Sequence, residues 1–169
     1  MDENEQMRGA LEQLDRMMGF FSRVDSKATF LFALDTGLLA LIGLNLHPID
    51  LALWFVGVPG LLAIMLVGAS LFFVLRATFP HLTGGERSLI YFKEIASRTE
   101  ANFIDEYQRA AAPELARDAL GQVWRNAAIL TVKFRAVNRA FMFTTASLVP
   151  WAIFLGESAY LHGQSLVLR

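Results

Sequence analysis

The chain has 169 residues and a formal net charge of −1; 54% of its residues are hydrophobic and only 18% are charged. This composition excludes a disordered chain, which has few apolar residues, and the near-neutral charge argues against a nucleic-acid polymer as partner. The absence of cysteine excludes a disulfide scaffold, a thiolate metal site and a Cys nucleophile. The mean hydropathy of +0.41 is too high for an ordinary soluble surface, so we predict a membrane protein or a very apolar bundle.

The first 27 residues are predicted to form a cytoplasmic amphipathic helix that continues into the membrane. Its apolar side chains recur at alternating spacings of four and three residues, namely Met7, Leu11, Leu14, Met18 and Phe21. Three apolar segments then predict transmembrane helices, at 28–46, 51–75 and 140–161. The second contains 25 uncharged residues, more than the roughly 20 that span a bilayer. The first is interrupted only by Asp35.

The distribution of basic residues predicts the membrane orientation. Of the 15 lysines and arginines, four precede the first span and ten lie between the second and third spans. Because cytoplasmic segments carry the excess of Lys and Arg, we expect the N-terminus and residues 77–139 to be cytoplasmic. The C-terminus is then expected on the opposite side of the membrane.

The segment 77–139 is predicted to be helical, with two interruptions. The sequence Ser97-Arg98-Thr99-Glu100 resembles a capping box, and Ala111-Ala112-Pro113-Glu114 is typical of a new helix start. A last cytoplasmic helix is expected to continue into the third span, with an apolar stripe at Leu120, Val123, Ala127, Leu130, Phe134 and Val137. Such stripes indicate either core packing or a helical oligomer seam. The predicted fold is all-α, one integrated domain in which 1–27 and 77–139 form a cytoplasmic bundle on three transmembrane helices.

No catalytic motif is found in the sequence. It contains no P-loop, no GxGxxG fingerprint and no nucleophile elbow, and the three histidines lie near predicted membrane boundaries rather than in a cluster. We therefore expect a non-enzymatic protein without a metal or cofactor. A carboxylate as deep in a span as Asp35 is either protonated or paired inside the helix bundle, or it lines a gate or pore.

A group of basic and aromatic residues predicts an anion-binding site in the cytoplasmic region. Cations bind phosphates through charge-assisted hydrogen bonds, and aromatic rings can stack on a base. The predicted ligand-binding residues are Arg23, Asp25, Lys27, Tyr91, Phe92, Trp124, Arg125, Lys133 and Arg135. The alternative is that the basic residues only mark topology and contact lipid phosphates.

Four motifs in this order resemble the Pycsar transmembrane effector family. They are the D-x-K-A start of the first span, the basic residue and proline after the second, an aromatic-Phe-x-x-Ile motif, and the last cytoplasmic helix with its Gln, Lys and Arg. In this chain they correspond to Asp25–Ala28, Arg76–Pro80, Tyr91–Ala96 and Leu115–Phe141, the last including Gln122, Lys133 and Arg135. Asp35 departs from the family pattern, in which a neutral polar residue is expected.

The resemblance implies an antiphage effector in the bacterial inner membrane, with a periplasmic C-terminus. Its activator would be 3′,5′-cyclic UMP or cyclic CMP, made on infection by a pyrimidine cyclase encoded nearby. The effector, expected to be a homo-oligomer, would compromise the lipid bilayer and cause abortive infection. Two rival interpretations stay open at this point: a membrane-anchored scaffold, and a small membrane-embedded enzyme that uses Asp35.

Overall fold

The computed structural model describes residues 2–47, 52–79 and 85–167, with side chains up to residue 162. Within these ranges it contains helices and no strand, which confirms the predicted all-α class. The five helices, in chain order, are α1 (Glu3–Asn45), α2 (Trp54–Thr78), α3 (Phe92–Ala96), α4 (Glu100–Arg109) and α5 (Ala112–Val167).

Two of these helices are much longer than a bilayer-spanning segment. Helix α1 has 43 residues and α5 has 56, so the amphipathic N-terminal segment and the first span form one helix, as predicted. Three helices are long and apolar enough to cross a membrane, namely α1, α2 and α5 up to His162. Pro59 and Pro150 lie inside α2 and α5 without ending either helix, as is common in transmembrane helices.

The buried face of α1 follows the stripe expected in its first turns only in part, since Met7, Leu14 and Phe21 are half-buried. Met18, predicted to be in the stripe, is 53% exposed, and Leu11 is exposed too, whereas Ala10 and Val24 are buried. The buried positions continue along the helix at spacings of three and four, through Ala28, Leu31, Asp35, Leu38 and Ile42. This 3.5-residue period is typical of a helix that packs lengthwise against its neighbours.

The stripe of α5 is confirmed at Leu130 and Val137, which are buried, and departs from the prediction at its N-terminal end. There Leu120 is 52% exposed, and Ala119, Gln122 and Asn126 are buried. Partnered polar side chains such as those of Gln122 and Asn126 are tolerated at a buried contact, and a stripe chosen by apolarity does not include them.

The segment between α2 and α5 is interrupted at the two positions predicted. Helix α3 ends at Ala96 and α4 begins at Glu100, and the hydroxyl of Thr99, rather than that of Ser97, caps α4 by accepting from the Asn102 amide. Helix α5 begins at Ala112, with Pro113 in its first turn, where its missing amide hydrogen costs nothing.

The internal packing separates two compact units. Unit 1 comprises Met1–Val24 and Phe79–Lys133, and unit 2 comprises Asp25–Thr78 and Phe134–Arg169. Both units therefore contain part of α1 and part of α5. The core of unit 1 is built on Ala10, Ala116 and Ala119, and that of unit 2 on Ile42, Val56, Ala63 and Phe154.

Candidate functional site

A cavity of about 450 Å³ lies within unit 1. It is lined by the loop that precedes α3, the end of α4 and the first turns of α5, through Gly85, Glu86, Arg87, Ser88, Leu89, Ala110, Glu114, Leu115, Arg117, Asp118, Gly121 and Arg125. Its volume falls within the range of small-molecule sites, roughly 300–1,000 Å³.

One wall of this cavity is a loop fixed by a buried serine and a carboxylate. One carboxylate oxygen of Asp118, on α5, accepts hydrogen bonds from the Ser88 hydroxyl at 2.9 Å and the Leu89 amide at 2.8 Å. The Ser88 oxygen itself accepts from the amides of Ile90 and Tyr91, at 3.1 and 2.9 Å. Three of these four bonds satisfy backbone amides of a loop that belongs to no helix, and together the four give the cavity a defined wall.

An arginine also holds the same loop in place. The guanidinium of Arg98 donates to the carbonyl oxygens of Ser88 and Glu94, at 3.0 and 2.8 Å, and to the Glu106 carboxylate at 2.9 Å. Because this side chain is largely buried, its hydrogen bonds are shielded from water and position the loop more firmly than surface bonds would.

The cavity lining carries both signs of charge, with three guanidinium groups against three carboxylates. Arg125 donates from Nε and Nη2 to the side-chain oxygen of Gln122, at 3.3 and 3.1 Å, which orients its planar head. Within the described part of the chain, neither Arg87 nor Arg117 forms an ion pair. Two arginines therefore have their charge available to an anion.

The predicted ligand-binding residues are distributed over both units. Arg23, Tyr91, Phe92, Trp124, Arg125 and Lys133 lie in unit 1, and Asp25, Lys27 and Arg135 lie in unit 2. Arg125 is the one of these nine that lines the unit 1 cavity, as far as the described residues show. The single site predicted from the sequence stays a prediction.

The aromatic residues of that set differ in accessibility. Trp124 is 75% exposed and Phe92 is also exposed, whereas Tyr91 is only 7% exposed. The buried Tyr91 hydroxyl has no hydrogen-bond partner among the residues described. Buried polar groups are normally satisfied, so this oxygen marks a place in unit 1 where a bonding partner is missing.

Three of the five basic residues of the set lie over aromatic rings. In unit 1 the Arg23 guanidinium carbon lies 5.5 Å from the Phe20 ring centre, and the Lys133 ammonium lies 5.5 Å from that of Phe21. In unit 2 the Lys27 ammonium lies 6.0 Å from the Phe134 ring. Lys133 is buried, so its cation–π contact is partly desolvated and stronger than a surface one.

Sequence reasoning missed several residues that build the cavity. Asp118, Ser88 and Gly85 were not among the candidates, although the sequence Thr83-Gly84-Gly85 after the second span is typical of a loop. The Asp118 carboxylate accepts a hydrogen bond from a loop residue 29 positions away, and helical periodicity in the sequence cannot predict such a contact. Among the described residues, no group of three or more His, Asp or Glu side chains could hold a metal ion.

A second polar cluster lies inside unit 2, around the predicted gate residue. Asp35 is fully buried, and its carboxylate lies 2.6 Å from the Ser70 hydroxyl and 2.8 Å from that of Thr144. These residues belong to α1, α2 and α5, so the cluster joins all three candidate spans.

The comparisons with known proteins identify the family. The model of the Pycsar effector protein domain matches residues 9–156, which is most of the chain. No curated protein and no solved structure is significantly similar to the chain. The match and the three candidate spans fit an inner-membrane protein that acts with a nucleotide cyclase in antiphage defence. The chain therefore belongs to the Pycsar effector family of transmembrane antiphage effectors.

Proposed function

We propose that this protein is a non-enzymatic effector activated by a cyclic pyrimidine mononucleotide, cyclic UMP or cyclic CMP, supplied by a neighbouring pyrimidine cyclase. The ligand binds in the cavity of unit 1, and binding leads to loss of inner-membrane integrity and abortive infection. Membership of the Pycsar effector family supports the role. The observation that supports the site is a cavity of suitable size lined by three arginines.

The cavity lining suits a cyclic nucleotide monophosphate chemically. Its phosphodiester carries one negative charge, which a guanidinium binds through paired, charge-assisted hydrogen bonds. The pyrimidine base offers an N–H or amino donor, which a carboxylate such as Glu86 or Glu114 can accept. Asp118 is less suited to this role because the loop already occupies one of its oxygens.

Transmission to the membrane is proposed to run along the two long helices. Both α1 and α5 contribute residues to unit 1 and, without a helix break, to unit 2. A ligand shifts an equilibrium only if it binds the active arrangement better than the resting one. We expect nucleotide binding to alter the packing of α1 or α5 in unit 1, and thereby the packing around the proposed gate residue Asp35.

A homo-oligomer is the proposed working form. Leu120 and Trp124 lie one turn apart on α5 in unit 1, and both are exposed. Neighbouring large apolar residues on a cytoplasmic surface are typical of a protein interface. A second copy of the chain is the proposed partner, and the rival scaffold function would place another protein there.

The test is calorimetric titration of the full-length, detergent-solubilised protein with cyclic UMP, cyclic CMP, cyclic AMP and cyclic GMP. We expect saturable binding of a pyrimidine nucleotide and none of the purines. Arg125→Gln should weaken that binding roughly 10- to 100-fold, the cost of losing a charged hydrogen bond. Absence of binding by all four would contradict the effector mechanism and favour the scaffold.

A second pair of substitutions separates the cavity from the site predicted by sequence. If Lys133→Ala with Arg135→Ala abolishes binding while Arg125→Gln leaves it unchanged, the ligand binds outside the cavity and the cavity assignment is wrong. We expect the reverse pattern. Release of a trapped dye from vesicles containing the protein, with and without nucleotide, then tests the membrane lesion.

A further inference from the structure

Three side-chain oxygens form a closed triangle in the interior of unit 2. The Asp35 carboxyl lies 2.6 Å from the Ser70 hydroxyl and 2.8 Å from the Thr144 hydroxyl, and the two hydroxyls are 2.8 Å from each other. All three distances are those of good O–H···O hydrogen bonds, and all three residues are buried.

The number of available donors favours one protonation state of this triangle. Three contacts between oxygens need three hydrogens, and each hydroxyl supplies one. With an ionised Asp35 the two hydroxyls would bond the carboxylate, and the Ser70 and Thr144 oxygens would face each other at 2.8 Å with no hydrogen between them. The Thr144 hydroxyl also lies 3.1 Å from the Ala140 carbonyl oxygen. This carbonyl is a further acceptor for the single hydrogen of Thr144, so the two hydroxyls alone supply too few hydrogens for the contacts present.

The charges on the surrounding helices do not supply an alternative partner. Among the residues that the structure describes, no basic side chain forms an ion pair with Asp35. On α5 the guanidinium of Arg139 lies 5.6 Å from the Phe73 ring centre, and Arg76 on α2 and Lys27 on α1 are six and eight residues from Ser70 and Asp35 respectively. A carboxylate without a counter-ion is costly at membrane depth.

We propose that Asp35 carries a proton in this arrangement, and that the neutral carboxyl closes a ring of three hydrogen bonds. In this ring Asp35 donates to Ser70, Ser70 donates to Thr144, and Thr144 donates to the other oxygen of Asp35. The ring ties α1, α2 and α5 together through one exchangeable proton. This assignment is independent of the proposed ligand and of any membrane lesion.

Infrared spectroscopy of the full-length, ligand-free protein in lipid vesicles tests the assignment. We expect the spectrum of Asp35→Asn to lack one C=O stretch of a protonated carboxylic acid that the unsubstituted protein shows. Asp25→Asn, which removes an exposed carboxylate of the same helix, should instead remove a carboxylate band. If Asp35→Asn removes a carboxylate band, as Asp25→Asn does, and not an acid C=O stretch, Asp35 is ionised and the proposal is wrong.

A second comparison keeps the proposal testable if Asp35→Asn does not fold. Ser70→Ala opens the ring, so the acid C=O stretch should move in frequency as its hydrogen bonding changes. Ser147→Ala is the matched control, because Ser147 is equally buried but donates to the Thr144 carbonyl of its own helix at 2.7 Å. An acid band that is absent, or that Ser70→Ala leaves unmoved, overturns the assignment.

Discussion

Gly85 lies directly against the guanidinium group of Arg125 at the wall of the unit 1 cavity. A β-carbon at position 85 would be only 2.8 Å from Arg125 Cζ, closer than real side chains approach each other. The obstructing group is the far end of a flexible side chain, which can move aside. A side chain at position 85 would therefore displace the guanidinium of Arg125, which we propose binds the nucleotide, and backbone atoms are not among its nearest neighbours.

We expect Gly85→Ala to displace the Arg125 head and to lower nucleotide affinity, while the melting temperature stays close to that of the unsubstituted protein. Loss of one charged hydrogen bond to the phosphate corresponds to about 1.5–3 kcal/mol. Calorimetric titration measures the affinity, and the far-ultraviolet circular dichroism melt checks the fold.

The matched control is Gly121→Ala, which also lies in the cavity lining. A β-carbon at Gly121 would be 3.5 Å from the nearest Arg125 atom, an ordinary contact, and alanine favours the helix. This variant should bind nucleotide nearly as the unsubstituted protein does. Equal affinity of both variants would show that the Arg125 position does not determine binding.

Asp118→Ala is expected to destabilise unit 1 by about 1–3 kcal/mol, because it leaves the Leu89 amide and the Ser88 hydroxyl without their acceptor. Asp118→Asn retains a side-chain oxygen and should lose less. Thermal unfolding in detergent measures both. Equal melting temperatures for Asp118→Ala and the unsubstituted protein would mean that this loop is not held by the carboxylate.

Gly60→Val is expected to destabilise unit 2, since Phe154 packs on Gly60. A β-carbon there would be 2.9 Å from Phe154 Cδ2 and 3.2 Å from Cε2, and the phenyl ring is fully buried. Overpacking of this kind costs about 1–3 kcal/mol. Gly68→Val is the control, because nothing lies within 4 Å of a β-carbon there; if both variants unfold alike in detergent, helix propensity rather than packing is responsible.

The membrane orientation can be tested with single cysteines, since the chain contains none. We expect Glu5→Cys and Asn102→Cys to be protected from a membrane-impermeant maleimide in spheroplasts, and Gln164→Cys, which follows the predicted third span in the sequence, to react. All three should react after permeabilisation. Labelling of Asn102→Cys in intact spheroplasts would place unit 1 outside and contradict a cytoplasmic sensor.

Local residue chemistry was sufficient to predict the helices. Long uncharged runs predicted the spans, and Pro113 and the segment Ser97–Glu100 predicted where helices begin, because capping and backbone donors act within one turn. The full set of buried positions could not be obtained in this way. Ala10 and Gln122 are buried, while Met18 and Leu120 are exposed, because fit to a neighbouring helix outweighs apolarity.

For the candidate sites, too, the sequence determined some features and the tertiary structure decided the others. The sequence by itself determined the family resemblance, Arg125 as a ligand-binding candidate and Asp35 as an unusual carboxylate within a span. Only the tertiary structure decided that Asp118 holds a loop 29 residues away, and that Asp35 meets hydroxyls 35 and 109 residues along the chain. Hydrogen bonds over such separations depend on how helices are placed in space, and helical periodicity contains no information about that placement.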